Sequence, residues 1–255
     1  MMIGRKFWRG LQMVAHLLRG VAQLSRAGGH RESFHPDVRH TVQGWYGDLL
    51  RILDVEVEVI GQLPHERDGA VIMIANHISW VDIPLIGALT PVNFLSKAEV
   101  KDWPLVGSLA ARIGTLFISR GSGDTDAVMQ AMAGHLERNL SVLFFPEGTT
   151  TDGSKVRRFH KKLFKVCETT EVQVCPLFIR YHAEGDVNPL PFVGDVGFGE
   201  HLWQLLGHRR LRATVEVLAP VKLDPELVGH QIRGIELAMR DKLTVRQGVD
   251  VPVEG

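Results

Sequence analysis

Apolar residues at Phe7, Trp8, Leu11, Val14, Leu17, Leu18, Val21 and Leu24 recur at intervals of three and four, which predicts an amphipathic helix over 7–24. A polar break over 25–35, containing Gly28, Gly29 and His30, separates it from a second stripe of Val42, Trp45, Tyr46, Leu49, Leu50 and Leu53. From about Val55 the period shortens. The runs 55–60, 70–75, 92–96, 115–119, 141–145, 172–179 and 213–218 are short, apolar and rich in β-formers, and they alternate with helical stretches at 124–138 and 225–243. Alternation of this kind predicts an α/β sheet covered by helices on both faces. The glycine- and proline-rich stretch 189–199 reads as a loop.

Composition adds one asymmetry. The chain has 255 residues, 45% of them hydrophobic, with 29 basic and 29 acidic side chains. These values fit one core-forming domain and exclude a low-complexity chain. A net charge of zero argues against a dedicated nucleic-acid binder. Yet residues 1–31 hold Arg5, Lys6, Arg9, Arg19, Arg26 and Arg31 and no acid. A basic, amphipathic start suits a helix lying in a bilayer interface. An ordinary surface helix packed on the domain fits the periodicity equally, and the charge count favours the membrane. The uncharged run 10–18 ends at Arg19, short of the ~20 residues of a spanning helix, so neither secretion nor a membrane span is expected. Cys167 and Cys175 lack the spacing of a zinc site, and a reducing compartment is the simplest reading.

The signatures of a phosphate loop, a dinucleotide fold, a zinc protease and a serine hydrolase elbow are all missing. What the chain offers is polar residues at strand ends. The first set is Asn76, His77, Ser79 and Asp82. On a regular helix His77 and Asp82 would lie ~140° apart, so they meet only if the chain turns between them. Ser79 as an N-cap would start a helix at Trp80, leaving His77 in the preceding loop and Asp82 in the first turn. A carboxylate there can hold one imidazole nitrogen while the other faces a hydroxyl. The competing reading is that Ser79-x-x-Asp82 is a capping-box pattern whose acid serves only the helix end.

The second set is Phe117-Ile118-Ser119-Arg120, a strand that ends in a guanidinium suited to a phosphate or carboxylate, or to a surface ion pair. The third is Phe145-Pro146-Glu147-Gly148-Thr149, where Pro146 stops a strand and Gly148 allows a tight turn that exposes backbone N–H groups. The fourth is Val174-Cys175-Pro176-Leu177, whose proline suggests a bulge or a sheet edge.

In this order, N-H-x-x-x-x-D at 76–82, F-I-x-R at 117–120, F-P-E-G-T at 145–149 and V-x-P-Φ at 174–177 resemble the four motifs of the glycerolipid acyltransferases, above all the bacterial 1-acyl-sn-glycerol-3-phosphate acyltransferases. The resemblance covers about 55–220. It implies a mixed, largely parallel sheet flanked by helices, with 55–255 as the acyltransferase domain and 1–54 as amphipathic, membrane-associating helices before it. It also implies transfer of a fatty acyl group from a thioester, acyl-carrier protein or coenzyme A, to the free hydroxyl of a lysophospholipid, with no metal or other cofactor. By the same resemblance His77 is the general base and Asp82 orients it. Arg120 binds the acceptor phosphate, and Asn76, Phe117, Glu147, Gly148 and Thr149 shape the acceptor site.

One segment departs from the family. Where a Phe-Lys-x-Gly pattern is usual, this chain has Phe159-His160-Lys161-Lys162. Either Lys161 or Lys162 supplies the missing phosphate contact, or the headgroup differs. Lysophosphatidic acid is the leading acceptor and a lyso-ornithine lipid the near alternative. A catalytically silent, membrane-peripheral lipid-binding protein on the same fold is the alternative of another class. The expected location is the cytoplasmic face of the inner membrane, and Cys167 and Cys175 are expected in the core rather than as nucleophiles.

Overall fold

The computed structural model describes residues 2–26, 36–103, 106–119, 125–182 and 188–244. Helices α1 (Met2–Arg26) and α2 (Pro36–Leu53) come first, and the sheet begins with β1 (Val55–Ile60). Then follow β2 (Ile72–Ala75), α3 (Asp82–Leu89), β3 (Asn93–Lys97), α4 (Val106–Arg112), β4 (Leu116–Ile118), α5 (Thr125–Glu137) and β5 (Val142–Phe144). The chain ends with α6 (Val166–Thr169), β6 (Gln173–His182), α7 (Phe198–Leu205), β7 (Leu211–Val217), β8 (Val221–Lys222) and α8 (Val228–Thr244).

The strands form one sheet in the order β1-β7-β6-β2-β5-β3-β4, with β8 added alongside β6. Neighbours run parallel except at β6–β7 and β6–β8. The sheet is therefore mixed and largely parallel, and β2, β3, β4, β5 and β6 present their carboxyl ends on one rim. Alternate residues feed two cores: Met73, Ala75, Leu143, Cys175 and Leu177 face one layer, and Ile72, Ile74, Phe144, Val174 and Phe178 the other. The first layer is roofed by α1, α2, α3 and α7, through Met13, Tyr46, Leu49, Leu85 and Leu205. The second is roofed by α5, the 156–167 segment and α8, through Met132, Phe164, Ile232 and Met239. Residue 54 thus separates helices from strands, while both sides of it share one core.

Of the two readings of Pro176, bulge or sheet edge, the structure takes the first. The strand is interior, in register with Ile74 of β2, and its antiparallel neighbour fits one extra residue between Val217, opposite Leu177, and Val221, opposite Val174, while the Pro176 carbonyl accepts the N–H of Leu218. Its missing N–H falls where β7 stops and β8 has not begun, so no ladder bond is lost. The helix α7 and the short strand β8 were not predicted, because neither is long enough to display a period. On α1 most of the predicted stripe faces outward, with Phe7, Trp8, Leu11, Val14 and Leu18 exposed, and the side packed on the domain is Met13, His16 and Gly20 with Leu17 beside them.

Candidate active site

Strand β2 delivers Asn76 and His77 to the rim. Asn76 is buried, and its amide spans the gap to β6: Nδ2 donates to the carbonyl of Ile179 at 2.9 Å and Oδ1 accepts the Ile179 N–H at 2.6 Å. Placed among substrate contacts by the motif, Asn76 is instead a clamp between two strands. Beyond His77 the backbone turns sharply. Ser79 Oγ accepts the N–H of Val81 at 3.3 Å, Asp82 N donates to the Ser79 carbonyl, and α3 becomes regular only at Asp82. The predicted start at Trp80 is therefore two residues early, because a 3-10-type turn precedes the α-helix.

That turn brings the two candidates together. His77 Nδ1 lies 2.8 Å from Asp82 Oδ2. The same oxygen accepts the N–H groups of Ile78 at 2.8 Å and Ser79 at 3.0 Å, and Asp82 Oδ1 accepts the phenol of Tyr181 at 2.6 Å. The acid therefore holds the imidazole and the N–H groups of the turn before α3, while the N-cap of α3, Val81, has no side-chain cap. A carboxylate with four bonds to accept is acceptor throughout, which assigns the proton to Nδ1 and leaves Nε2 with its lone pair. The Asp82 side chain is fully buried and that of His77 is 19% exposed. Nε2 has no hydrogen-bond partner among the described residues. The ring lies flat on Phe145, centroids 3.9 Å apart and planes 12° from parallel. Such an imidazole, oriented on one side and open on the other, can take a proton from a hydroxyl.

Glu147 faces the backbone, not the solvent. Oε1 accepts the His77 N–H at 2.9 Å and Oε2 accepts the Arg157 N–H at 2.7 Å. Burial pushes its carboxyl up to about 7, against the pull of those two bonds, and nearby Asp82 raises it further. Gly148 adopts φ +67°, as a tight turn requires. Its N–H closes that turn on the Phe145 carbonyl at 3.0 Å and so is not exposed to a ligand, contrary to expectation. Thr149 is half-buried beside it. Thr151 N donates to the His77 carbonyl at 2.8 Å, so both ends of the His77 peptide unit are held.

The remaining predicted residues lie farther out. Phe117 is half-buried on β4 under the Lys101 ammonium, 4.8 Å from the ring centroid. Arg120 falls outside the described residues. Lys161 donates to the carbonyl of Gly229 at the start of α8, 3.1 Å away, and Lys162 is exposed. The structure thus turns Lys161 toward α8, not toward the imidazole.

Residues that sequence reasoning missed complete the setting. Tyr181 continues the inward series Leu177, Ile179, a period of two that a longer strand assignment would have included. Trp80 Nε1 donates to His201 Nδ1 at 2.9 Å, and His201 Nε2 reaches the carbonyls of Pro189 and Pro191. This fixes the 189–192 loop, whose Phe192 N–H bonds the Ile78 carbonyl. Burial pushes the thiols of Cys167 up to about 12 and Cys175 up to about 11, values that leave no useful thiolate.

Comparison with known proteins identifies the family and the fold. A family model described as Acyltransferase matches residues 55–180. A Pseudomonas aeruginosa protein named lyso-ornithine lipid O-acyltransferase is 44% identical over 69% of this chain and 68% of its own length. A Neisseria meningitidis protein named 1-acyl-sn-glycerol-3-phosphate acyltransferase is 34% identical over 66% of each chain. The crystal structure of the 1-acyl-sn-glycerophosphate acyltransferase of Thermotoga maritima superposes with a TM-score of 0.69 over 96% of both chains, at 20% identity, a likeness of fold.

Proposed function

Because the chain belongs to the acyltransferase family, we propose that it moves a fatty acyl group from a thioester to the free hydroxyl of a lysolipid, with His77 as general base. The observation that carries the reading is the 2.8 Å contact from His77 Nδ1 to Asp82, with Nε2 left unbonded on a ring that reaches the surface. A thioester carbonyl needs little activation, whereas an alcohol attacks slowly until its proton is removed, a step typically worth about 10²–10⁴-fold. In the proposed reaction Nε2 takes that proton as the alcohol oxygen bonds the acyl carbon. The tetrahedral intermediate then expels the thiolate, and His77 returns the proton to sulfur. Asp82 stabilises the imidazolium between the two steps.

The acceptor we favour is a lyso-ornithine lipid. The 44% identity to the Pseudomonas aeruginosa protein supports it, as does the engagement of Lys161 with the Gly229 carbonyl, which removes one expected phosphate contact. Lysophosphatidic acid is the second reading, supported by the 34% identity to the Neisseria meningitidis protein. Among the described residues no helix is long and apolar enough to cross a membrane. The exposed stripe of α1 supports peripheral seating on a bilayer, and we place the enzyme on the cytoplasmic face of the inner membrane. Purified protein with an acyl thioester and each lysolipid in turn tests the acceptor by the product formed. His77→Ala tests the base: kcat should fall at least ~100-fold, and near wild-type turnover would end the assignment.

A further inference from the structure

The segment that follows the Glu147 turn carries a second concentration of positive charge. Between residues 155 and 165 stand Lys155, Arg157, Arg158, Lys161, Lys162 and Lys165, with His160 and no acid. All seven side chains are exposed. None of the six cations lies within ion-pairing distance of a carboxylate among the described residues. Glu236 is buried against Arg233 and Arg240, and Asp152 bonds the N–H and hydroxyl of Ser154, although Lys155 acts on Asp152 and Arg157 on Glu147 through space. Glu168 lies beyond the segment. Soluble surfaces usually intersperse the two signs, since like charges in one patch repel.

The backbone beneath this charge is pinned. The Lys155 carbonyl accepts Thr151 Oγ1, Arg157 N bonds Glu147, Phe159 N bonds Glu236 at 3.0 Å, and His160 N bonds the Pro146 carbonyl at 2.9 Å. Val156, Phe159 and Phe164 are sunk in the core between these points. The result is a fixed platform of cations with a direct link to the site, because the Glu147 carboxylate that bonds Arg157 N also bonds His77 N.

From this platform we infer a docking surface for a soluble acidic protein that carries the acyl thioester on a flexible arm, an acyl carrier protein. The inference rests on the acyl-transfer reading above and names its donor. Charge complementarity is the first argument: a zero-net-charge chain gathers six cations at one lip of the site, none of them in a salt bridge among the described residues, which would steer and hold a negatively charged partner. Position is the second. The platform roofs the core layer of α5 and α8, whereas the exposed stripe of α1 lies outside the opposite layer. A bilayer that meets Phe7, Trp8 and Leu11 leaves the platform on the other side of the sheet, open to a partner arriving from solution.

The test uses the triple variant Lys155→Glu, Arg158→Glu, Lys165→Glu, which spares every residue assigned to the acceptor site. Two donors are compared, acyl carrier protein thioester and the uncharged acyl-pantetheine thioester. The variant should raise KM for the carrier-bound donor about 10-fold or more while kcat/KM with acyl-pantetheine stays within about twofold. In the wild type, KM for the carrier should climb between ~50 and ~500 mM salt, and the variant should lose most of that dependence. An unchanged KM for the carrier overturns the proposal, and so does an equal loss with both donors. Weakened binding to anionic vesicles with KM for the carrier unaltered would assign the patch to lipid instead. Absence of turnover by the wild type with either donor would defeat the acyl-transfer reading itself.

Discussion

The phenol of Tyr181, ninety-nine residues along the chain from Asp82, donates a 2.6 Å hydrogen bond to the carboxylate oxygen that His77 does not use. Burial and the neighbouring carboxylate raise the phenol well above its usual range, so it remains a donor at any working pH. Removing the hydroxyl leaves a buried oxygen unpaired, at a cost of about 1–3 kcal/mol. The bond also draws charge from Asp82. Without it Asp82 loses one of the four bonds that fix it, and the His77 ring is held less firmly.

Tyr181→Phe should therefore lower kcat about 3- to 10-fold with little change in KM for the lysolipid. A Tyr181 that only filled space would be replaced by Phe without that loss, so full activity with unchanged KM would reduce it to packing.

Much of this arrangement was legible before any coordinates. Apolar strands ending in polar residues are visible in one dimension, and the five-residue gap from His77 to Asp82, with Ser79 between, required the turn that is found. Contacts set by strand order were not legible. Nothing in the local pattern says that β6 lies beside β2, and that adjacency gives Asn76 its partner in Ile179 and Asp82 its partner in Tyr181. Glu147 was misjudged for the same reason: its motif marks a strand end, but its oxygens are consumed by N–H groups from two other segments. Pro176 could be read from sequence only as a bulge or an edge, and strand order decides for the bulge: the partner of β6 fits one extra residue between β7 and β8.

Glu147 makes a prediction about pH and stability. Its folded value, about 7, lies above the ordinary 4.5, so folding favours the protonated acid. The native state then binds more protons than the unfolded chain between those two values, and stability falls as pH rises through that window. The contribution is on the order of 3 kcal/mol. Denaturant unfolding at several pH values should show the wild type losing stability relative to Glu147→Gln between about pH 4.5 and 7, with parallel curves above that range. Curves that run parallel throughout would mean the carboxyl ionises normally.

Gly87 sets how closely α2 approaches α3. A Cβ at this position would overlap the ring of Tyr46, which is itself buried against Phe94. Gly87→Ala should destabilise the protein by about 1–3 kcal/mol through overpacking. It should also lower kcat, because the helix that must shift begins with Asp82. Urea unfolding with a parallel assay checks both, and an undiminished midpoint would show that the Tyr46 ring moves aside freely.

The outward face of α1 makes the last prediction, and it reverses the emphasis that charge alone suggests. Phe7, Trp8 and Leu11 are 62–64% exposed, whereas the Arg9 side chain is only 12% exposed, bonded to Asp54 at 2.7 Å and to the His208 carbonyl. Lys6 lies over Trp203. At least these two of the basic residues are turned to the domain, so binding to a bilayer should be driven mainly by apolar area. Each large side chain fully buried in lipid is worth about 1.5–3 kcal/mol. Phe7→Ser, Trp8→Ser and Leu11→Ser together should weaken sedimentation with vesicles more than 10-fold, and added salt should matter far less. The inward contacts of Met13, His16 and Gly20 are untouched by these changes and only the edge contact of Phe7 with Trp203 is lost, so stability should fall by no more than about 0.5–1.5 kcal/mol. Truncation of the whole helix would remove that packing as well and confuse the two effects. Full vesicle binding by the triple variant, or binding abolished by salt alone in the wild type, would show that cations rather than the aromatic stripe hold the protein to the membrane.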